Sequence, residues 1–194
     1  YRGQVFTTNL HGRRVNIDRL ERRGSGYVGK HAPDFMRTDD PWFRAIEIQA
    51  GPDGGVYILD WSDVGECHEN DGVHRTSGRI YKITYGDPTR PQETDLTKLT
   101  DAQLVALQPS DNEWLVRMAR WELRERARRH NGLPALTTLL REQFTTAPTP
   151  AKKLAAYWTL EQISAFAPDA PAPIAPLLSA MRTSPDEHLQ RWAV

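Results

Sequence analysis

This chain of 194 residues has one cysteine, Cys67, so no internal disulfide framework braces it. It has no excess of charge, because 25 lysines and arginines balance 25 aspartates and glutamates. The balance holds in each half: 13 against 13 in residues 1–90, and 12 against 12 in residues 91–194. A global basic field that would draw nucleic acid or an anionic membrane is therefore excluded. No apolar run approaches the roughly 18 residues that a membrane-spanning helix needs.

Glycine and proline are each scarce where the other is common. Only Gly132 of the 13 glycines lies beyond Gly86, whereas ten of the 14 prolines lie from Pro91 onward. Turn glycines followed by helix-punctuating prolines predict a β segment and then an α segment. The change falls in Gly86-Asp87-Pro88-Thr89-Arg90-Pro91, which sets the expected domains at 1–88 and 89–194.

Phe43 to Gly86 carries the clearest pattern. Ala45 to Gln49 alternates with period two, Pro52-Asp53-Gly54-Gly55 is a tight turn, and Val56 to Asp60 is an apolar, β-rich run. After a polar insert, Gly78 opens a third alternating strand, Arg79 to Tyr85. Three short strands in a meander predict one blade of a β-propeller, a fold that puts its chemistry on the axis at the ends of inner strands. Gln4 to Leu10, the turn His11-Gly12-Arg13, Val15 to Leu20 and a return strand from Tyr27 predict part of a preceding blade. The chain starts at Tyr1 beside a strand pattern and stops at Val194 within a helical one. Both ends read as internal to a larger protein.

Helical periodicity marks Leu96 to Leu107, Asp111 to Arg128 and Ala151 to Phe166, with a further unit starting at Ser184-Pro185-Asp186. In the second segment Trp114, Leu115, Met118, Trp121 and Leu123 are expected to form one apolar face. Trp121, Trp158 and Trp192 recur at spacings of 37 and 34 residues. A period in the upper thirties with two helices per unit predicts an α-solenoid of the HEAT or armadillo kind.

Candidate chemistry lies in the first half. Asp60 and Asp63 at a strand end suit a hard cation or an acid–base pair, and equally suit backbone capping in a turn. Cys67-His68 suits a metal or a nucleophile–base pair, although the lone cysteine rules out a C-x-x-C-H haem attachment. His74 and Arg75 read either as an anion contact or as a structural ion pair with the acids of the insert. Asn9, His11, Arg13 and Arg44 fall at neighbouring strand ends, where cations and amides would suit a carboxylated ligand. The alternative is a solvated basic face of Arg13, Arg14, Arg19, Arg22 and Arg23 paired to Asp18 and Glu21. Arg124, Arg126, Arg128 and Arg129, diluted by Glu122 and Glu125, read as a solvated helix end.

VFTTNLHGRRVNIDRLERRGSGYVGKHAPDF, DPWFRAIEIQAGPDGGVYILDWSDVGECHE and HRTSGRIYKITYG closely resemble the propeller end of a bacterial family of large secreted proteins. These are membrane-bound dehydrogenases, or haem-binding CxxCH proteins of the planctomycete–verrucomicrobial type. In that family a sugar-dehydrogenase-like propeller precedes HEAT repeats and a cytochrome c domain. The resemblance covers roughly residues 1–90, and VRMARWEL and LAAYWTLEQI agree with the repeats that follow. It implies a periplasmic or cell-envelope location and oxidation of a sugar or alcohol, with electrons passing to a c-type haem domain missing here. It further implies pyrroloquinoline quinone and calcium as cofactors of the full-length protein. An arginine stands where Arg44 stands in related quinoproteins, while His11 replaces the cofactor lysine and Trp42 replaces a second arginine. Two other functions fit the same residues. One is a non-catalytic scaffold, its propeller binding a glycan and its helices a protein. The other is a metal-dependent, lactonase-like hydrolase with Asn9 and Asp60 among its oxygen ligands.

Overall fold

A computed structural model describes residues 3–65, 76–88, 91, 93–166 and 174–193. The chain is mixed β and α and divides into two compact units, Tyr1–Arg90 and Pro91–Val194. No helix among the described residues is long and apolar enough to cross a membrane.

The first unit holds two three-stranded antiparallel sheets, each in chain order. One comprises β1 (Gln4–Asn9), β2 (Arg14–Arg23) and β3 (Gly26–Arg37), and the other β4 (Ala45–Ala50), β5 (Val56–Asp60) and β6 (Arg79–Ile83). Turn chemistry sets these boundaries. Gly24, at φ +61°, makes the hairpin between β2 and β3, and Gly54, at φ +77°, ends the β4–β5 turn, where a side chain would be strained. Asp53 Oδ1 accepts from Gly55 N at 3.1 Å, and Lys82 on β6 ion-pairs with the same carboxylate.

Strand β3 runs much further than its sequence suggests, through Pro33. Ile17 pairs with Ala32 and Val15 with Met36, so Pro33, Asp34 and Phe35 together face Asn16. Proline has no N–H for the ladder, and the bulge removes the need for one. Asn16 Nδ2 spans the gap by donating to Asp34 Oδ1 at 3.3 Å. Strand β6 stops at Ile83, two residues short of the expected end, and leaves Tyr85 fully exposed.

Both sheets supply one apolar core. Val15 of β2, Phe43, Ala45 of β4 and Ile58 of β5 are buried, with Phe6, Phe35 and Tyr81 packed around them. Strands β1 and β4 lie against each other. Phe6 meets Phe35 edge-on at 5.4 Å, the arrangement that ring quadrupoles favour.

The second unit is helical: α1 (Asp101–Ala106), α2 (Glu113–His130), α3 (Thr137–Thr146), α4 (Pro150–Ser164), α5 (Ala175–Arg182) and α6 (Glu187–Arg191). A capping box joins Thr100 and Gln103 at the start of α1. Asn112, Thr149 and Asp186 cap α2, α4 and α6 by accepting from the backbone N–H of the second or third residue of each helix. Helix α2 ends on Asn131 in the left-handed region, with Gly132 N donating back to Ala127 O at 2.8 Å. Helices pack in sequence pairs, α1 with α2, α3 with α4 and α5 with α6, and α4 also packs against α2 and α6.

The apolar face of α2 matches the expected one at Leu115, Met118 and Leu123, which pack into the core, but not at Trp121. Val116, Ala119, Leu123 and Ala127 face the core, whereas Trp121 is 59 % exposed. Small alanines permit close helix approach, which a tryptophan at the seam would prevent. Trp158 instead is half-buried and meets Trp192 edge-on at 5.1 Å. Among these apolar side chains lies one polar knot. The buried Thr159 hydroxyl is 2.7 Å from Gln108 Oε1 and accepts from Arg120 Nε at 3.1 Å. Burial lowers the Arg120 pKa, and its guanidinium lies over the Trp158 ring at 5.4 Å.

Candidate functional site

The polar centre of the first unit is Asp60, at the end of β5. Register puts it opposite Ala45 on one side and Arg79 on the other. Its side chain has no solvent exposure, so the carboxylate must be satisfied internally. Asp60 Oδ1 accepts from Arg44 N at 2.7 Å and Ser62 N at 3.0 Å, and Oδ2 accepts from Arg79 Nε at 2.7 Å. Arg79 Nη1 reaches Asp40 Oδ2 at 2.6 Å, and Asp40 Oδ1 accepts from Trp42 N at 2.9 Å. One guanidinium thus ties β6 to the strand end of β5 and to the segment entering β4.

The ionisation of this network follows from its contacts. The Trp42 N–H and then the Arg79 guanidinium hold the Asp40 carboxyl below the usual carboxylate range. Burial works against the charge on Arg79, but its bonds to Asp40 and Asp60 prevail and raise its pKa. Tyr81, with the Arg79 guanidinium 5.4 Å from its ring centre, is raised by burial.

Asp60 also shapes the loop that follows it. Ser62 takes a left-handed conformation at φ +57°, stabilised by its N–H bond to Asp60. Trp61 N donates to Arg44 O and Asp63 N to Trp42 O, each at 2.9 Å, so pairing with the β4 side continues beyond the strands. The Arg44 side chain locks the result. Its Nη1 donates to Pro41 O at 2.9 Å and Phe43 O at 2.8 Å, Nη2 to Val64 O at 2.8 Å, and Nε to Gly65 O at 3.3 Å. Four of the five donors of a guanidinium therefore serve backbone carbonyls.

Beside this clamp lies a hollow of about 220 Å³ lined by Leu10, Arg44, Ile46, Trp61, Asp63 and Gly65. Trp61 is 54 % exposed and Ile46 nearly as much, so the wall offers an aromatic and an aliphatic surface. Asp63 is buried and caps the loop by accepting from Gly65 N at 3.1 Å.

The residues singled out by sequence separate into distinct places. Arg44 and Asp63 line the hollow, as does Leu10, the residue between Asn9 and His11. Asn9 turns back on its own hairpin: its Oδ1 accepts from Gly12 N at 2.7 Å and its Nδ2 donates to Asn16 Oδ1 at 3.2 Å. His11 is exposed in the same turn, and Arg13 holds it at φ +52° with its carbonyl accepting from Thr38 N. Asp60 is a structural carboxylate whose two oxygens already accept three N–H bonds. No three His, Cys, Asp or Glu side chains among the described residues group as a metal site. Cys67, His68, His74 and Arg75 lie outside the described residues.

The Arg44 donors already serve backbone carbonyls, so this guanidinium is committed to the loop. Three participants escaped the sequence reading: Asp40, Arg79 and Trp61 as a wall. The Asp60–Arg79 pairing joins residues 19 apart in sequence across a polar insert, so counting along the chain does not reveal it.

A family model described as a domain of unknown function (DUF7133) matches residues 1–87. The match ends within the last residues of the β unit. No curated protein and no solved structure matches the chain.

Two outcomes follow from the network. Replacing Arg79 with Met leaves Asp60 buried without its cation, and urea unfolding of the β unit should register a loss of about 2–4 kcal/mol. This is somewhat under the cost for a fully enclosed pair, because Arg79 is partly solvated. The second concerns pH. Asp40 and Asp53 have pKa values lowered in the folded state from 3.8, the first mainly by Trp42 N–H and the second mainly by Lys82. Their contribution is present above that value and is lost as pH falls through the lowered ones. Thermal melts should therefore drop below about pH 4, and the drop should shrink in the Asp40→Asn, Asp53→Asn double variant.

Proposed function

We propose that the β unit is the closing part of a β-propeller and the α unit a stack of HEAT-like hairpins. In this reading the two sheets are consecutive blades, and the region binds a sugar ring rather than carrying out oxidation itself. The surrounding protein is then a secreted dehydrogenase of the kind the sequence resembles. Its oxidation of a sugar or alcohol and its haem domain belong to other parts of that protein. The resemblance also supports a periplasmic or cell-envelope location.

The observation that carries the binding role is the hollow itself. A largely exposed indole lines a small cavity whose wall also includes Arg44 and the Asp63 carboxyl group. A pyranose has an apolar C–H face that suits indole and equatorial hydroxyls that suit carboxylate and carbonyl acceptors. At about 220 Å³ the hollow is below the range of roughly 300–1,000 Å³ typical of drug-sized ligands. One small ring is the ligand it suits.

Several features support the architecture. Each sheet is an antiparallel meander in chain order, and the first strands of the two sheets are neighbours, as inner strands of adjacent blades would be. In the α unit the second helix of each pair packs against the second helix of the next, and the Trp158–Trp192 contact spans one repeat.

Calorimetric titration of the chain with gluco-oligosaccharides tests the binding role. Saturable binding near the millimolar range is expected, together with its loss in Trp61→Ala at unchanged thermal stability. Binding that survives in Trp61→Ala, or its absence from the parent chain, would overturn the assignment. So would sugar-dependent dye reduction by this chain supplied with pyrroloquinoline quinone and calcium.

A further inference from the structure

Helix α2 has a second face that stands exposed among the described residues. Successive residues advance about 100° around a helix, so Arg117, Trp121, Arg124 and Arg128 fall within a sector of about 60°. All four are exposed, whereas Val116, Ala119, Leu123 and Ala127 on the far side are buried. The stripe is about 16 Å long, the reach of about five extended residues.

Charge on this helix departs from the neutrality of the unit. Six arginines and His130 face only three glutamates, Glu113, Glu122 and Glu125. The basic residues of the last turn, Arg128, Arg129 and His130, have a local reason to be there, because cations favour a helix C-terminus. Arg126 is tied to Asp101 and Glu122 at 2.7 Å each. Arg117 and Arg124 have no such explanation. The Arg117 side chain makes no hydrogen bond or ion pair among the described residues. Arg124 has only a 3.7 Å approach to the adjacent Glu125, which also receives Arg128 at 3.1 Å. Exposed pairs of this kind are worth little and exchange readily.

We propose that this stripe docks an acidic peptide segment, carried by a partner protein, with an apolar or proline residue seated on Trp121. Carboxylates about 10 Å apart along an extended peptide would meet Arg117 and Arg124, two helical turns apart, in the forked geometry that guanidinium provides. Arg and Trp are among the side chains that most often carry interface energy, and here one Trp stands between arginines along one line. Glu113 and Glu125 border the stripe and would repel a continuous phosphate backbone, which favours a peptide over nucleic acid. The inference stands on α2 alone and is independent of what the sheets bind.

Fluorescence anisotropy of the full chain with a labelled peptide of four glutamates flanking a Pro-Phe pair tests it. A glutamine-for-glutamate counterpart and a short oligouridine serve as comparison probes. The glutamate peptide should bind saturably at low salt, at least about tenfold tighter than the glutamine peptide. Arg117→Glu with Arg124→Glu should weaken it at least about tenfold, and Trp121→Ala about fivefold. Circular dichroism melts should stay unchanged, since all three side chains are exposed. Failure of the glutamate peptide to bind, equal binding of both peptides, indifference to these substitutions, or tighter binding of the oligouridine would each overturn the proposal.

Discussion

A buried carboxylate that cannot be left unpaired organises the β unit. Asp60 sits where β5 ends, and the low-dielectric surroundings make its charge costly unless donors surround it. Three do: a guanidinium from β6 and backbone N–H groups on either side. These bonds determine where β6 pairs, how the chain enters β4, and the left-handed turn at Ser62. That turn in turn exposes Trp61 and brings Val64 and Gly65 within reach of Arg44. The hollow is a downstream consequence of one charge being satisfied.

Arg44 illustrates how type and role part company. An arginine at a strand end, next to other cations, suits recognition of a ligand carboxylate. Its surroundings assign it to carbonyls instead, because a tight loop leaves carbonyl groups without ladder partners and a planar five-donor group satisfies several at once. Arg120 in the α unit has a comparable internal function, satisfying Thr159 and lying on Trp158. Both arginines spend their charge on architecture, whereas Arg117 and Arg124 leave theirs on the surface.

Much of the element order was legible. Pro52-Asp53-Gly54-Gly55 announced the β4–β5 turn, period-two alternation marked β4 and β6, an apolar β-rich run marked β5, and the caps Thr100, Thr149 and Asp186 marked helix starts. The strand-to-helix change was visible in the glycine and proline distribution. Other features were hidden for physical reasons. The length of β3 was masked by Pro33, which normally argues against a strand and is admitted here by a bulge. Helix α3 starts on Thr137-Thr138 without a side-chain cap, so no local signal announced it. Trp121 reads as core by hydrophobicity, but α2 packs closely through alanines. The candidate site was legible in part, since Arg44 and Asp63 were named. The partnership of Asp60 with Arg79 is made across a long insert, and only the folded register reveals it.

The central claim is that the Asp60 network holds the Trp61 loop in one conformation and so preforms the hollow. Amide hydrogen exchange at Trp61, Ser62 and Asp63 tests this most directly, because their N–H groups bond to Arg44 O, Asp60 Oδ1 and Trp42 O. The account predicts slow exchange at all three in the parent chain, and acceleration at all three when Asp60 is changed to Ala while amides of β2 stay protected. Rapid exchange at these amides in the parent chain, or protection that survives the loss of the carboxylate, would contradict it.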